Sequence, residues 1–118
     1  MSTANPLRIL CLEDNPLIVF HLEQIIEDLG HLPVLTLSSF AELEAFSELV
    51  IDCALIDIDL ADGRTGPIAA RWLHDRGIPA FFVTGQQDIA DANAAFVLGC
   101  VIKPVTSEGL ASALNRID

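Results

Sequence analysis

The sequence is poor in basic residues and contains no tyrosine. Six lysines and arginines stand against seventeen acidic residues, which gives a net charge of −11. Nucleic acids and anionic membrane surfaces are bound by basic patches, so this charge argues against both as partners. No apolar run reaches the ~18 residues that a membrane-spanning helix needs, and the start, MSTANPLR, lacks the features of a secretion signal. We therefore expect a cytoplasmic protein that works with other proteins.

Cysteine is also scarce. The three cysteines have no metal-type spacing, and an odd number does not suggest a set of disulfides. Cys11, Cys53 and Cys100 each fall within a predicted strand, where cysteine behaves as a small apolar residue. We therefore expect neither a disulfide nor a zinc site.

The rest of the composition is typical of a chain that folds into a globular domain. A chain of 118 residues can form one domain with a real core but not two, so we expect a single domain over residues 1–118. Short apolar runs, which suit parallel strands covered on both faces, alternate with segments of helical spacing. The predicted strands are 7–13, 33–37, 53–58, 79–84 and 100–103. The predicted helices are 15–29, 40–49, 67–76, 88–98 and 107–117.

The order of these segments is a strand and a helix, repeated five times. Because parallel strands need crossover connections of one hand, this alternation predicts an α/β fold with a doubly wound, five-stranded parallel sheet. Asn15 and Ser39 are placed to cap the first two helices, and Asp88 the fourth. Ligands of such sheets bind at the carboxyl ends of the strands. The fold therefore predicts the position of a site.

Four predicted strands end in residues that carry chemistry. The first ends in residues 13–14, both acidic, and the third in Asp57, with Asp59 just beyond. The fourth ends in Thr84 and the fifth in Lys103, the only lysine of the chain. The topology therefore collects carboxylates, a hydroxyl and an ammonium at one edge of the sheet.

Clustered carboxylates repel each other unless a cation joins them. Loosely spaced oxygen ligands suit Mg²⁺ better than Zn²⁺. Lys103 follows an apolar strand and precedes Pro104, which favours a place in the site over a place on the surface. A metal ion, an ammonium, a hydroxyl and backbone N–H groups around one aspartate would trap a phosphoryl group on it. The pattern therefore predicts an aspartyl phosphate.

Four stretches in this order and spacing, CLEDN, LIDIDLADG, FFVTG and VIKP, resemble the receiver domain of two-component response regulators. The resemblance covers nearly the whole chain, and the four motifs together are highly specific. It implies a flavodoxin-like, or CheY-like, strand order of 2-1-3-4-5. It also implies a signalling domain that phosphorylates and dephosphorylates itself, rather than a turnover enzyme.

The resemblance assigns roles to individual residues. Asp57 matches the phosphoacceptor, and Glu13 and Asp14 match the acidic pair that holds Mg²⁺ with it. Asp59 matches the position whose backbone carbonyl also binds the metal and whose side chain tunes dephosphorylation.

Two further residues match the family's switch and charge partner. Thr84 matches the hydroxyl that turns toward the phosphoryl group, and Lys103 matches the family's lysine, which precedes a cis proline. Asp62 is left as a loop residue beside Gly63.

The chain departs from the family pattern in three places. The proline that most receivers carry four residues after the acceptor is Ala61, in a loop to Gly66 that is longer than usual. The switch aromatic is Cys100, so the usual coupling between the hydroxyl and an aromatic ring cannot operate. FFVTG partly resembles a motif of stand-alone alphaproteobacterial receivers, which also lack this aromatic.

We therefore expect a single-domain response regulator that accepts a phosphoryl group on Asp57 from a sensor histidine kinase or a phosphotransfer protein. Its output would run through a protein contact on helix four, strand five and helix five, with the chain a monomer or a weak dimer. A phosphate sink or relay, or the receiver part of a longer protein, fits equally well.

Two other classes share part of the pattern. Haloacid-dehalogenase-like phosphatases use an Asp-x-Asp motif such as Asp57–Asp59, but after their first strand rather than the third. Toprim-like Mg²⁺-dependent nucleic-acid enzymes pair a glutamate after strand one, here Glu13, with Asp-x-Asp after strand three. That interpretation leaves Thr84 and Lys103 without a role, and the net charge of −11 disfavours DNA.

Overall fold

A five-stranded parallel sheet with helices on both faces organises residues 6–117, which the computed structural model describes. The strands are β1 (Arg8–Leu12), β2 (Leu32–Leu37), β3 (Cys53–Ile56), β4 (Ala80–Thr84) and β5 (Gly99–Ile102). The helices are α1 (Pro16–Asp28), α2 (Phe40–Glu44), α3 (Gly66–His74), α4 (Gln87–Ala92) and α5 (Ser107–Leu114), with a 3₁₀ turn at Ala94–Phe96. The strand order is β2-β1-β3-β4-β5, which confirms the predicted doubly wound α/β fold.

The core consists of two apolar layers, one on each face of the sheet. Alternate strand residues point to opposite layers, so Ile9 packs toward α1 and α5 while Leu10 packs toward α2 and α3. Phe81 and Phe82 of β4 divide in the same way, and both are fully buried. Burial on both faces explains why the strand sequences are almost continuously apolar.

The predicted caps of α1 and α2 are confirmed. The side chain of Asn15 accepts a hydrogen bond of 3.0 Å from the backbone N–H of Leu17. The hydroxyl of Ser39 accepts one of 3.1 Å from the backbone N–H of Glu42. Each satisfies an N–H group that the first turn of a helix leaves without a partner. Among residues 6–117, no helix is long and apolar enough to cross a bilayer.

Helix α2 ends at Glu44 and is therefore much shorter than the predicted helix 40–49. Leu43 is its only buried residue, and Phe46, which the predicted apolar stripe placed on the core side, is exposed. A short helix depends on tertiary packing for its stability. The prediction was therefore wrong at this end of the helix.

Helix α4 was predicted over 88–98 and ends at Ala92. The side-chain amide of Asn93 donates a hydrogen bond of 2.9 Å to the carbonyl of Ile89. The backbone N–H of Asn93 donates to the carbonyl of Ala90 rather than to that of Ile89, which a continuing α-helix would require. A side chain that occupies this carbonyl competes with the helical ladder. The cap was also predicted wrongly, because Gln86 takes that position and Asp88 lies within the first turn.

Candidate functional site

The carboxyl ends of four strands bring the predicted site residues to one edge of the sheet. Glu13 and Asp14 follow β1, and Asp57 follows the adjacent β3, where its backbone N–H donates to the carbonyl of Leu12 at 2.9 Å. Thr84 is the last residue of β4. The next strand, β5, ends one residue before Lys103, whose N–H donates to the carbonyl of Thr84 at 3.1 Å. These backbone hydrogen bonds extend the pairing of adjacent strands past their ends and so fix the position of Asp57 and Lys103 at the edge of the sheet.

Lys103 joins two of the acidic residues. Its ammonium Nζ lies 3.0 Å from Oε1 of Glu13 and 3.2 Å from Oδ2 of Asp57. The Glu13 side chain is almost completely buried, and the lysine side chain is 22% exposed. The Lys103–Pro104 peptide bond is cis, as the family resemblance implied. A single ammonium thus bridges carboxylates that arrive from two different strands.

The pKa values of Glu13 and Lys103 both lie above their ordinary values, for different reasons. Burial raises the pKa of Glu13, although the hydrogen bond from Lys103 works against that rise. Burial alone would lower the pKa of Lys103, but its hydrogen bond to Glu13 and the nearby charge of Asp57 raise that pKa above its ordinary value. The lysine therefore stays a cation at neutral pH and supplies positive charge to the site.

The Asp57 carboxylate is held at both oxygens. Its Oδ1 accepts a hydrogen bond of 2.8 Å from the backbone N–H of Ile58, while Oδ2 faces the lysine. The side chain is 12% exposed, so part of it faces solvent at the edge of the sheet. A carboxylate fixed in this way presents a defined orientation to an incoming group.

Three carboxylates converge near this point. Glu13, Asp14 and Asp57 each offer an oxygen, and these atoms lie within 4.8 Å of one another. A set of hard oxygen donors with an exposed member, Asp14, fits Mg²⁺, which keeps several water ligands. Among the described residues nothing donates a hydrogen bond to the backbone carbonyl of Asp59, which leaves that oxygen free for a ligand.

Among the described residues, Thr84 and Cys100 make no hydrogen bond to the three carboxylates of the cluster. The hydroxyl of Thr84 is buried and accepts a hydrogen bond of 2.9 Å from the N–H of Gln86, and it makes no hydrogen bond to Asp57. Cys100 pairs with Phe82 across β4 and β5 and packs against the core layer of α2 and α3. No aromatic ring stands at this position of β5.

Two features of the β3–α3 loop were missed in the sequence. Asp62 accepts hydrogen bonds from the backbone N–H groups of Phe40 and Ala41, at 3.2 and 3.1 Å, and from the hydroxyl of Thr65 at 2.6 Å. It therefore caps α2 from a distant loop, whereas we predicted a plain loop residue.

The second feature is a close backbone approach at Gly66. A Cβ atom at Gly66 would clash with the Asp57 carbonyl and lie 2.6 Å from the Cα of Ile58.

A third feature is a ring of side chains beside the site. Nε of Arg64 donates to Oδ1 of Asp59 at 2.9 Å, and the amide of Gln86 donates to Oδ2 at 2.8 Å. Nη2 of Arg64 closes the ring by donating to Oε1 of Gln86 at 3.1 Å. No sequence spacing pairs residues 64 and 86, so only the fold reveals this contact.

Comparisons with known proteins agree with this geometry. The family model of the response regulator receiver domain matches residues 9–115. The structure is similar to the PhyR receiver domain of Erythrobacter litoralis, with 25% identity and a TM-score of 0.83 over 96% of this chain and 90% of that one. It is similar to SdrG from Sphingomonas melonis Fr1, with 32% identity and a TM-score of 0.75 over 98% of both chains. Comparison with curated protein sequences finds no match.

A further similarity extends the same pattern. The PhyR response regulator of Brucella abortus is 30% identical, with a TM-score of 0.81, over 95% of this chain and 47% of that one. The PhyR and SdrG relatives fit the alphaproteobacterial branch that the FFVTG stretch indicated. The chain belongs to the response regulator receiver domain family, whose members are signalling domains and not turnover enzymes.

Proposed function

We propose that the chain is a phosphoryl-accepting switch and that Asp57 is the residue that becomes phosphorylated. The observation that carries this proposal is the Lys103 bridge, with Nζ 3.2 Å from Asp57 Oδ2 and 3.0 Å from Glu13 Oε1. A partly buried ammonium that pairs with two carboxylates at the end of a sheet supplies positive charge where a phosphoryl group would be received.

The transfer is a displacement at phosphorus. A carboxylate oxygen of Asp57 forms a bond to phosphorus while the bond from phosphorus to the donor's imidazole nitrogen breaks, and that nitrogen keeps the electron pair. Lys103 then pairs with the new phosphoryl oxygens, and the backbone N–H of Ile58 keeps the carboxylate oriented. Thr84 is the hydroxyl that reaches toward the phosphoryl group once its bond to the Gln86 N–H breaks.

Glu13, Asp14 and Asp57 would hold Mg²⁺ with the Asp59 carbonyl. The bound ion would neutralise charge on the phosphoryl oxygens. Without a cation, the three carboxylates repel an anionic phosphodonor, so we expect phosphorylation to depend on Mg²⁺.

The protein is proposed to act in the cytoplasm, where its phosphodonor would be a sensor histidine kinase or a phosphotransfer protein. Leu17 and Phe20 on α1 are 81% and 63% exposed, just after Asp14 in the chain. Exposed large apolar side chains of this kind mark surfaces that bind other proteins. They would place a protein phosphodonor next to Asp57.

The output is proposed to leave through α4, β5 and α5, where Ile102 of β5 and Leu98, just before β5, are exposed. A phosphoryl group adds charge and acceptor oxygens at Asp57 and biases a two-state surface. A phosphate sink or relay needs no such surface. That residues 1–118 form a single domain, and that the protein is a monomer or a weak dimer, stay predictions.

Binding of beryllofluoride with Mg²⁺ tests the acceptor. We expect it to shift the backbone NMR signals of Ile58, Thr84 and Lys103, to fail in Asp57→Asn, and to fail in Asp14→Ala. Asp52→Asn is the control, because Asp52 pairs with Arg8 at the start of β1, away from the site. If beryllofluoride shifts these signals in Asp57→Asn as much as in the parent protein, the assignment of Asp57 as the acceptor is refuted.

The phosphatase and Toprim-like alternatives are not favoured by the family match. They also predict a different observation. A phosphatase would release phosphate from an ester continuously, whereas the proposed acceptor is labelled at most once per molecule.

A further inference from the structure

The ring formed by Asp59, Arg64 and Gln86 connects the two loops that flank the candidate acceptor. Asp59 and Arg64 belong to the β3–α3 loop, and Gln86 opens the β4–α4 turn. The backbone N–H of Gln86 is also the donor to the buried Thr84 hydroxyl. Arg64 therefore reaches, through one amide side chain, the residue that holds Thr84.

Both carboxylate oxygens of Asp59 are occupied in this ring. Arg64 takes Oδ1 at 2.9 Å and Gln86 takes Oδ2 at 2.8 Å. The hydrogen bonds from Arg64 and Gln86 lower the pKa of Asp59, and to a smaller extent so do the charges of Arg64 and Lys103. Asp59 follows Asp57 by two residues and bonds Gln86, whose N–H holds the Thr84 hydroxyl, so this carboxylate with both oxygens engaged lies beside the candidate phosphoryl site.

The guanidinium is suited to this task because its donors form a planar fork. One nitrogen bonds Asp59 while another bonds Gln86 at 3.1 Å, which a single ammonium could not do in the same geometry. The loop that carries Arg64 is itself fixed, since Leu60 and Gly63 exchange two backbone hydrogen bonds of 2.8 and 3.0 Å.

We propose that Arg64 is a positioning residue that slows the loss of the phosphoryl group from Asp57 by keeping the Asp59 carboxylate engaged. This inference rests on the proposed function and adds to it a residue that controls the lifetime of the phosphorylated form. A carboxylate with a free oxygen at this place would accept a hydrogen bond from a water and aim it at phosphorus.

The reaction that Arg64 slows is hydrolysis. The water oxygen forms a bond to phosphorus, and the bond between phosphorus and the Asp57 oxygen breaks with its electron pair on Asp57. The products are the free Asp57 carboxylate and inorganic phosphate, which retains both protons of the water. Asp59 would orient the water without keeping a proton.

Arg64 and Asp59 are 54% and 49% exposed, and exposed ion pairs contribute little to stability. We therefore expect Arg64→Ala to fold, which urea unfolding would verify. After labelling with acetyl phosphate and removal of the donor, its phosphoryl group should be lost about fivefold faster than in the parent protein, the effect of one hydrogen bond in a transition state. Arg64→Lys, which can still bond Asp59, should recover part of the lifetime.

Two further measurements separate positioning from a structural effect. In an Asp59→Ala background, Arg64→Ala should cause no additional change, because the residue through which it acts is gone. In the unphosphorylated protein, Arg64→Ala should speed hydrogen exchange at the Gln86 N–H. Arg76→Ala, which removes an exposed guanidinium stacked on Trp72, should change neither quantity.

The outcomes distinguish this inference from the proposed function. A parent protein that is never labelled would refute the proposed function. A labelled protein in which Arg64→Ala and Arg76→Ala have equal lifetimes would refute the role of Arg64 alone. So would an effect of Arg64→Ala that persists at full size without Asp59.

Discussion

At the scale of single residues, the central feature is one lysine shared by two carboxylates. Lys103 is the chain's only lysine, and its ammonium contacts Glu13 and Asp57. Its contribution is positive charge at a partly buried place, where electrostatic interactions are less screened than on the open surface. Sequence reasoning found this residue because it follows an apolar strand at the carboxyl edge of a parallel sheet.

Replacement of this lysine tests the role of its charge. We expect Lys103→Met to reduce the rate of labelling by acetyl phosphate about 100-fold, the usual loss when one preorganised electrostatic group is removed. Arg8→Gln is the matched control, because this cation pairs with Asp52 at the opposite end of β1. Equal labelling rates in Lys103→Met and the parent protein, measured by intact mass, would contradict the assigned role.

At the scale of elements, the start of α3 depends on a close approach between backbones. The N–H of Gly66 donates to the carbonyl of Ile58 at 2.9 Å, and a Cβ there would meet the backbone of Asp57 and Ile58. Glycine at this position lets the loop before α3 return to the end of β3 without a clash. This approach fixes the backbone that carries the acceptor.

Gly66→Ala should consequently destabilise the protein by about 1–3 kcal/mol, the range for overpacking a tight site. Gly85→Ala is the control, because a Cβ at Gly85 would have no atom within 4 Å. Urea unfolding measures both changes. Equal stability of the two variants would show that the backbone can move aside and that the close approach is not required.

The elements also show what the sequence could predict. The strands followed from apolar runs that are buried on both faces, their order followed from the family resemblance, and the position of the site followed from where those strands end. The ends of α2 and α4 did not. Phe46 is exposed although the apolar stripe placed it on the core side, and the end of α4 depends on a side-chain hydrogen bond from Asn93 to the carbonyl of Ile89, which the apolar spacing does not reveal. The cap that Asp62 supplies to α2 spans 22 residues of sequence and has no local signature.

At the scale of the whole molecule, a strongly acidic chain exposes two large apolar side chains on the helix that begins two residues after Asp14. The net charge is −11, while Leu17 and Phe20 expose most of their side chains on α1. Exposed apolar side chains on this helix fit the proposed docking of a protein phosphodonor, whereas a small phosphodonor does not need them. The two kinds of donor can therefore be distinguished by one substitution.

Phe20→Ser should slow phosphotransfer from a phosphotransfer protein about tenfold, the loss expected for an aromatic interface anchor, and leave labelling by acetyl phosphate unchanged. Val50→Ser is the control, since Val50 is 69% exposed in the loop between α2 and β3. Rates of phosphoryl transfer from a labelled donor protein measure the effect. If both substitutions slow transfer equally, α1 is not the docking surface.

The most direct measurement is the intact mass of the protein after incubation with acetyl phosphate and Mg²⁺. The account predicts that the parent protein gains one phosphoryl group, that hydroxylamine removes it as it does other acyl phosphates, and that Asp57→Asn gains none while Asp59→Asn is still labelled. A phosphoryl group that appears on Asp57→Asn, or none on the parent protein when Mg²⁺ is present, would contradict it.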